Sequence, residues 1–235
     1  MAQRQQGISR STGPALAWMA LAAFGALLSA SGHCIAQPAA AKAPAQASGP
    51  QPPTPSDAAR AWARRVVDSQ DHQGQPFVVV DKHAAQVVLH RADGSVAGSA
   101  PALLGRQPGD HSLPGVGQRT QAGTLRPQDM TTPAGRFVAR AGRNHTGEWV
   151  LWMHESDALA LHRLRPGQLH AVRARALAGP GPAGRRLSAG CVVVPAAFFD
   201  SVVAPLFAGR AGVVYVLPEH SPWLQLWLEL PRPAA

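Results

Sequence analysis

Short apolar segments separated by turn residues constrain the fold of this chain most. Phe77–Asp81 is rich in valine and is typical of a strand, and Ala85–Arg91 is a second such segment. Ala92–Ser95 contains Asp-Gly, and glycine supplies the backbone angles of a tight hairpin turn. Val96–Gly105 then returns as a third strand. Strands joined by so short a turn predict an antiparallel sheet.

The same pattern continues along the chain. Further strands are predicted at Phe137–Arg140, Trp149–His154, Ala158–Leu164 and Val213–Leu217. Burial of these valine-rich strands supplies the core of a mainly β fold, a mixed β-sandwich with a few flanking helices.

Helices are predicted on either side of these strands. One begins at Ser56-Asp57 and occupies the N-terminal segment 57–76, and another covers Pro195–Phe207, where Pro205 kinks or shortens it. Leu169–Ala178 fits either a strand or a helix. The Gly/Pro-rich stretch Arg106–Gln128 is predicted to be one long loop, and loops of that length are usually functional or mobile.

The N-terminal residues have the three-part layout of a secretory signal peptide. Residues 1–36 combine a basic start, an apolar run and small residues before a cut after Ala36. An uncleaved anchor is less favoured, because the apolar run is short for a transmembrane helix. A lipoprotein modified at Cys34 is also less favoured, because His33 is bulky where lipidation needs a small residue. Residues 37–56 are rich in Ala, Pro and Gln and predict a linker. We therefore expect export to the periplasm.

Cleavage would leave Cys191 as the one remaining cysteine. A lone thiol in an oxidising compartment is either buried or present to react. Gly190 allows close approach of the backbone to a substrate, and amide N–H groups around Gly190 and Cys191 would bind a developing oxyanion. Arg185 and Arg186 add positive charge that favours a thiolate. A buried structural cysteine at a strand start is the alternative.

The chain carries 22 Lys plus Arg against 13 Asp plus Glu, a formal net charge of +9. This balance favours anionic partners such as a cell-wall polymer or a membrane surface. The basic residues are scattered, and neither an RNA-binding aromatic signature nor a zinc-finger spacing is present. No nucleic-acid partner is therefore predicted.

Taken in order, several motifs resemble the L,D-transpeptidase (YkuD-type) catalytic domain family. They are the Asp-Gly hairpin, the turn Thr132–Phe137, His162 at a strand end and the nucleophile turn Ser188–Cys191. The resemblance covers Phe77 to Pro218. It implies an L,D-transpeptidase-like catalytic domain over residues 77–230.

The resemblance also implies a chemistry that needs no cofactor and no metal. Cys191 would be the nucleophile and His162 the base, while Ser188, Ala189 and Gly190 would shape the turn and the oxyanion site. The substrates would be peptidoglycan stem peptides, joined in 3→3 crosslinks or attached to a protein through a cysteine acyl-enzyme.

Other assignments stay open at this point. His170 is the alternative base. A zinc site formed by His154, His162, His170 and Cys191 is a further hypothesis, although the even spacing of the histidines matches no metal motif. Arg163, Ala189 and Val193 depart from the residues common in the family. These departures favour a relative that binds cell-wall peptides without turnover, or with weak activity. An L,D-carboxypeptidase, in which water is the acceptor, is another alternative.

Overall fold

The computed structural model describes residues 52–220 of the protein. The predicted leader, most of the linker and the last ten residues of the predicted catalytic domain lie outside the described residues. No helix in the described part is long and apolar enough to cross a membrane.

The N-terminal helix begins where the sequence predicts. Helix α1 covers Asp57–Ser69, and the Ser56 side chain caps it by accepting a hydrogen bond from Ala59 N at 3.0 Å. Its apolar face, which includes Trp62 and Val66, is buried against one face of the sheet.

Ten strands follow in the part of the chain that the structure describes, and most match the predicted segments closely. They are β1 (Phe77–Asp81), β2 (Gln86–His90), β3 (Val96–Pro101), β4 (Leu104–Gly105), β5 (Gly135–Arg143), β6 (Trp149–His154), β7 (Leu159–Arg163), β8 (Arg186–Ser188), β9 (Val192–Val194) and β10 (Ala211–Val216). Eight of them form one mixed sheet in the order β3-β2-β1-β10-β5-β6-β7-β9, and β4 pairs with β8 in a second sheet. The mainly β class and its flanking helices are confirmed.

The large sheet closes on itself at one position. Leu103, just after edge strand β3, exchanges backbone hydrogen bonds of 2.7 and 2.9 Å with Val193 of β9, the opposite edge. The predicted third strand, Val96–Gly105, is therefore two short strands, because the chain leaves β2 after Pro101 to make this contact. The enclosed core includes Val78, Leu161 and Val192.

Four helical segments complete the described part. Helix α2 (Val116–Gln121) lies within Arg106–Gln128, so the prediction of one long loop there is wrong in part, and a 3₁₀ turn (Pro127–Asp129) begins at the end of that stretch. Helix α3 (His170–Ala178) resolves the ambiguous segment. The helix after β9 has an α-helical turn (α4, Ala196–Phe198), a π-helical turn (Phe199–Val203) and a final α-helical turn (α5, Ala204–Leu206). Pro205 is the second residue of α5, and the helix ends one residue later, at Leu206, as expected if the proline shortens it.

Candidate active site

The turn between β8 and β9 carries Cys191 and is held by the side chain of Ser188. The Ser188 hydroxyl donates a hydrogen bond to Cys191 O at 2.6 Å and accepts one from Gly190 N at 3.1 Å. Gly190 has φ +129°, and an added Cβ would lie 3.0 Å from Thr131 O. Glycine is therefore required here, and its N–H is engaged within the turn.

The turn Thr132–Phe137, recognised from the sequence, reaches the nucleophile turn directly. The Thr132 hydroxyl donates to Gly190 O at 2.7 Å and accepts a hydrogen bond from Gly105 N at 2.8 Å. Thr132 is completely buried. Two motifs far apart in the sequence are thus joined at the backbone of Gly190.

The Cys191 thiol is a partly exposed free cysteine at the start of β9. Its Sγ donates to Ala158 O at 3.4 Å, at the beginning of the neighbouring strand β7. Burial raises the pKa of the thiol, and the N–H of Ala160 and the charge of Arg165 oppose that rise only in part. At neutral pH the thiol is therefore protonated in this arrangement.

The space beside Cys191 is narrow because the 106–128 segment lies over it. A cavity of about 50 Å³ touches the thiol, and residues of α2 and of the β6–β7 turn line it, including Val116, Thr120 and Asp157. Pockets that hold small ligands are usually about 300–1,000 Å³. The cavity beside the thiol is therefore much smaller than a peptide-binding pocket.

Asp129 anchors the end of that segment. Its carboxylate is buried and accepts hydrogen bonds from Arg119 at 2.5 and 2.9 Å and from Arg126 at 2.9 Å. Hydrogen bonds from these two guanidinium groups hold the pKa of Asp129 well below its usual value. A backbone bond from Gln107 N to Met130 O joins the two ends of the segment.

His162 lies on β7, next to the strand that begins after Cys191. Its Nδ1 lies 2.8 Å from Arg163 O, and since a carbonyl only accepts, Nδ1 carries the proton. Burial lowers the pKa of His162 to about 4, and the charge of Arg165 adds to this effect. The ring is therefore neutral at pH 7, with a free electron pair on Nε2.

The structure places the candidate residues on adjacent strands without joining them by a hydrogen bond. In the parallel pairing of β7 and β9, His162 stands opposite Val193, two residues beyond Cys191. Within the described residues the thiol donates to Ala158 rather than to a histidine. His170 is the first residue of α3 and is exposed. Ala189 is exposed within the turn.

Two arginines predicted to favour the thiolate have other roles in the structure. Arg185 is buried and donates hydrogen bonds to Ala85 O at 3.1 Å and to Gly179 O at 2.8 Å. It therefore stabilises the backbone around Ala85 and Gly179. Arg186 pairs with Glu219. The arginine whose charge lowers the pKa of the thiol is instead Arg165, which no sequence motif indicated. It lies two residues after β7 ends at Arg163, and its guanidinium also pairs with Glu148 at 2.6 Å.

The histidines of the zinc hypothesis are not gathered into a ligand cluster in the described part. His154 pairs with Asp157 of its own hairpin at 3.0 Å. The potential cation ligands that do meet there are Asp110, Glu219 and His220. The Lys82 ammonium lies 2.7 Å from Asp110 and supplies the positive charge at that cluster.

Solved structures of L,D-transpeptidases are among those similar to this chain. An L,D-transpeptidase from Xylanimonas cellulosilytica is 16% identical with a TM-score of 0.39, and the match covers 60% of each chain. The catalytic domain of an E. faecium L,D-transpeptidase is 18% identical with a TM-score of 0.32, covering 61% of this chain and 98% of that one. The helical cell shape determining protein Pgp2 from Campylobacter jejuni is 15% identical with a TM-score of 0.38, covering 69% of this chain and 56% of that one.

No protein-family model matches the sequence, and no curated protein matches it. The chain covers about three fifths of the length of the Xylanimonas protein and less of Pgp2. The superpositions are loose, so the functional conclusion depends on the residues around Cys191.

Proposed function

We propose that this chain is a periplasmic cysteine acyltransferase that acts on peptidoglycan stem peptides by L,D-transpeptidation. One observation carries the proposal. Cys191 stands at the end of a hydrogen-bonded turn, one strand away from the neutral imidazole of His162, whose Nδ1 is the protonated nitrogen. A thiol nucleophile needs a base that can accept its proton, and this tautomer leaves Nε2 able to do so.

The reaction then proceeds in two balanced steps. The thiol leaves Ala158 O and gives its proton to His162 Nε2 while sulfur attacks the carbonyl carbon of the peptide. The C–N bond breaks, the imidazolium returns the proton to the leaving amine, and a thioester on Cys191 remains. A second amine, from another stem peptide or from a protein, attacks the thioester and restores the thiol. Water in the same place would give a carboxypeptidase.

The substrate class is proposed from the charge and the motifs together. The chain is strongly basic, and a peptidoglycan environment is rich in anionic groups. Export through the predicted leader would bring the domain to that polymer. The motif resemblance suggests the stem peptide as the acyl donor. The net positive charge favours binding to an anionic cell wall or membrane surface.

A second candidate function is binding of cell-wall peptides without turnover. The raised pKa of Cys191 and the cavity of about 50 Å³ favour it, because the thiolate is the reactive form and little space for a substrate adjoins the thiol. Ala189 and Val193, which replace polar residues common in the family, point the same way. In this case the cleft would recognise the peptide and release it unchanged.

Intact-mass measurement with a carbapenem separates the two candidates. We expect a single covalent adduct on the wild-type protein, no adduct on Cys191→Ala, and an adduct formed at least about tenfold more slowly on His162→Ala. The matched control is His170→Ala, which removes an exposed histidine on α3. A folded wild-type protein without an adduct would contradict the acyltransferase proposal and favour the binding function instead. If His170→Ala slows adduct formation and His162→Ala does not, the base is His170 rather than His162.

A further inference from the structure

Two hydroxyl groups account for most of the backbone polar groups in the nucleophile turn. Ser188 Oγ engages Gly190 N–H and Cys191 O, and Thr132 Oγ1 engages Gly190 O. Within residues 52–220, Cys191 N–H has no hydrogen-bond partner. A donor on the nucleophilic residue itself is thus left available beside the thiol.

The direction of that N–H is fixed by the group on the other side of the same peptide bond. A trans peptide unit is planar, and its C=O and N–H point in opposite directions. Gly190 O and Cys191 N–H belong to one such unit. Whatever holds Gly190 O therefore also sets where Cys191 N–H points.

Thr132 is suited to that task because its hydroxyl has no freedom to turn elsewhere. Its oxygen accepts from Gly105 N at 2.8 Å, so its one hydrogen is committed to Gly190 O at 2.7 Å. The side chain is completely buried, and Gly105 is itself pressed against the backbone, since an added Cβ would lie 2.3 Å from Met130 O. The bond to Gly190 is therefore rigidly supported.

We propose that Thr132 is a positioning residue for acyl transfer: its hydroxyl holds Gly190 O and so aims Cys191 N–H at the oxyanion of the tetrahedral intermediate. The inference rests on the proposed function. When sulfur attacks a carbonyl carbon, the C=O π electrons move onto oxygen, and a preorganised N–H donor stabilises the charge that develops there. Thr132 touches neither substrate nor thiol and acts through the Gly190 peptide.

The variants that test this role differ in the hydroxyl. Thr132→Val keeps the shape and removes the donor, Thr132→Ser keeps the donor, and Thr132→Ala is a second variant without it. Each is compared with wild type for folding by urea unfolding. Two reactions of Cys191 are then timed by intact mass, acylation by a carbapenem and alkylation by iodoacetamide. Only acylation passes through an oxyanion, because alkylation displaces iodide at a saturated carbon.

We expect Thr132→Val and Thr132→Ala to slow acylation roughly tenfold to a thousandfold, the range seen when an oxyanion donor is lost, and to leave alkylation within about twofold of wild type. Thr132→Ser should recover most of the acylation rate. Equal slowing of both reactions would overturn the inference and would show that Thr132 only stabilises the structure of the nucleophile turn. Unchanged acylation in the two variants would also overturn it. A wild type that is alkylated but never acylated would instead refute the proposed function, and the inference with it.

Discussion

Gly117 of α2 and Ser156 of the β6–β7 turn are in direct backbone contact. A Cβ added to Gly117 would lie 1.7 Å from Ser156 O and 3.1 Å from the Cα of Asp157. Helix α2 can lie over the Cys191 cavity only because this position has no side chain. Helix α2 and the β6–β7 turn are therefore packed backbone against backbone at this position.

Substitution of Gly117 should open the site. In Gly117→Ala the new methyl group cannot fit against the Ser156 backbone, so α2 must move away and expose the thiol. We expect iodoacetamide to alkylate Cys191 several-fold faster than in wild type, together with a loss of stability of about 1–3 kcal/mol. Gln121→Ala, at an exposed position of the same helix, is the control and should match wild type. An unchanged alkylation rate in Gly117→Ala would show that α2 does not limit access.

Removal of the Ser188 hydroxyl should loosen the nucleophile turn. Ser188→Ala leaves Gly190 N–H and Cys191 O without their partner inside a buried turn. We expect a loss of about 1–3 kcal/mol in the free energy of unfolding, measured with urea, and slower acylation by a carbapenem. Ser201→Ala, which removes an exposed hydroxyl that bonds to Ala197 O, should have little effect on either. Full stability in Ser188→Ala would mean that the two bonds contribute nothing to the turn.

The pH dependence of acylation should report the low pKa of His162. Below pH 4 the ring is protonated and cannot accept the thiol proton, and above it the neutral ring can, so the rate should rise with pH around 4. An unperturbed histidine would give the same rise near pH 6.5. The measurement is the acylation rate between pH 3.5 and 8, with circular dichroism at each pH to show that the protein is folded. His162→Gln should be slow and lack this rise, whereas a rise near 6.5 would contradict the assignment.

A buried ion pair supports the turn that contains Thr132. Lys82 is fully buried and donates to Asp110 at 2.7 Å, to Gly109 O at 2.6 Å and to Thr132 O at 3.1 Å. We expect Lys82→Met to cost about 3–5 kcal/mol in urea unfolding, because it removes the positive charge that faces a buried carboxylate.

The double variant Lys82→Met/Asp110→Asn is the control for that prediction. It removes both charges, so it should be more stable than Lys82→Met alone. Equal losses in the two variants would show that the lysine stabilises the fold through its stem and carbonyl contacts rather than through the charge of Asp110.

Local signals in the sequence predicted much of the fold. The valine run of β1 and the Ser56 cap of α1 are found as predicted, because burial on both faces and N-capping act over a few residues. Helix α2 was not predicted, because it is only six residues long, follows Gly115 and contains Gly117. Each of these features favours a loop. What makes it a helix is its packing on the β6–β7 turn, a contact between distant segments.

The site was predictable to a smaller extent. The sequence motifs located Ser188, Gly190 and Cys191 in one turn, and the structure shows how Ser188 holds it. The roles of Cys191 and His162 as nucleophile and base stay predictions. Thr132 was noted as part of a motif, but its bond to Gly190 depends on folding that brings residues 58 positions apart together. No local pattern encodes such a contact.

The closure of the sheet at Leu103 and Val193 limits how a substrate can approach. β9 has β7 along one side and the Leu103 backbone on the other, so neither side offers an open row of backbone groups. Many peptide-binding domains hold their ligands as an additional strand on an open sheet edge. At β9 that mode is blocked. In the proposed reaction, a peptide substrate would instead bring its scissile carbonyl to the N-terminal end of β9 and meet the cysteine end-on. Side chains around the entrance, rather than strand pairing, would then select the substrate.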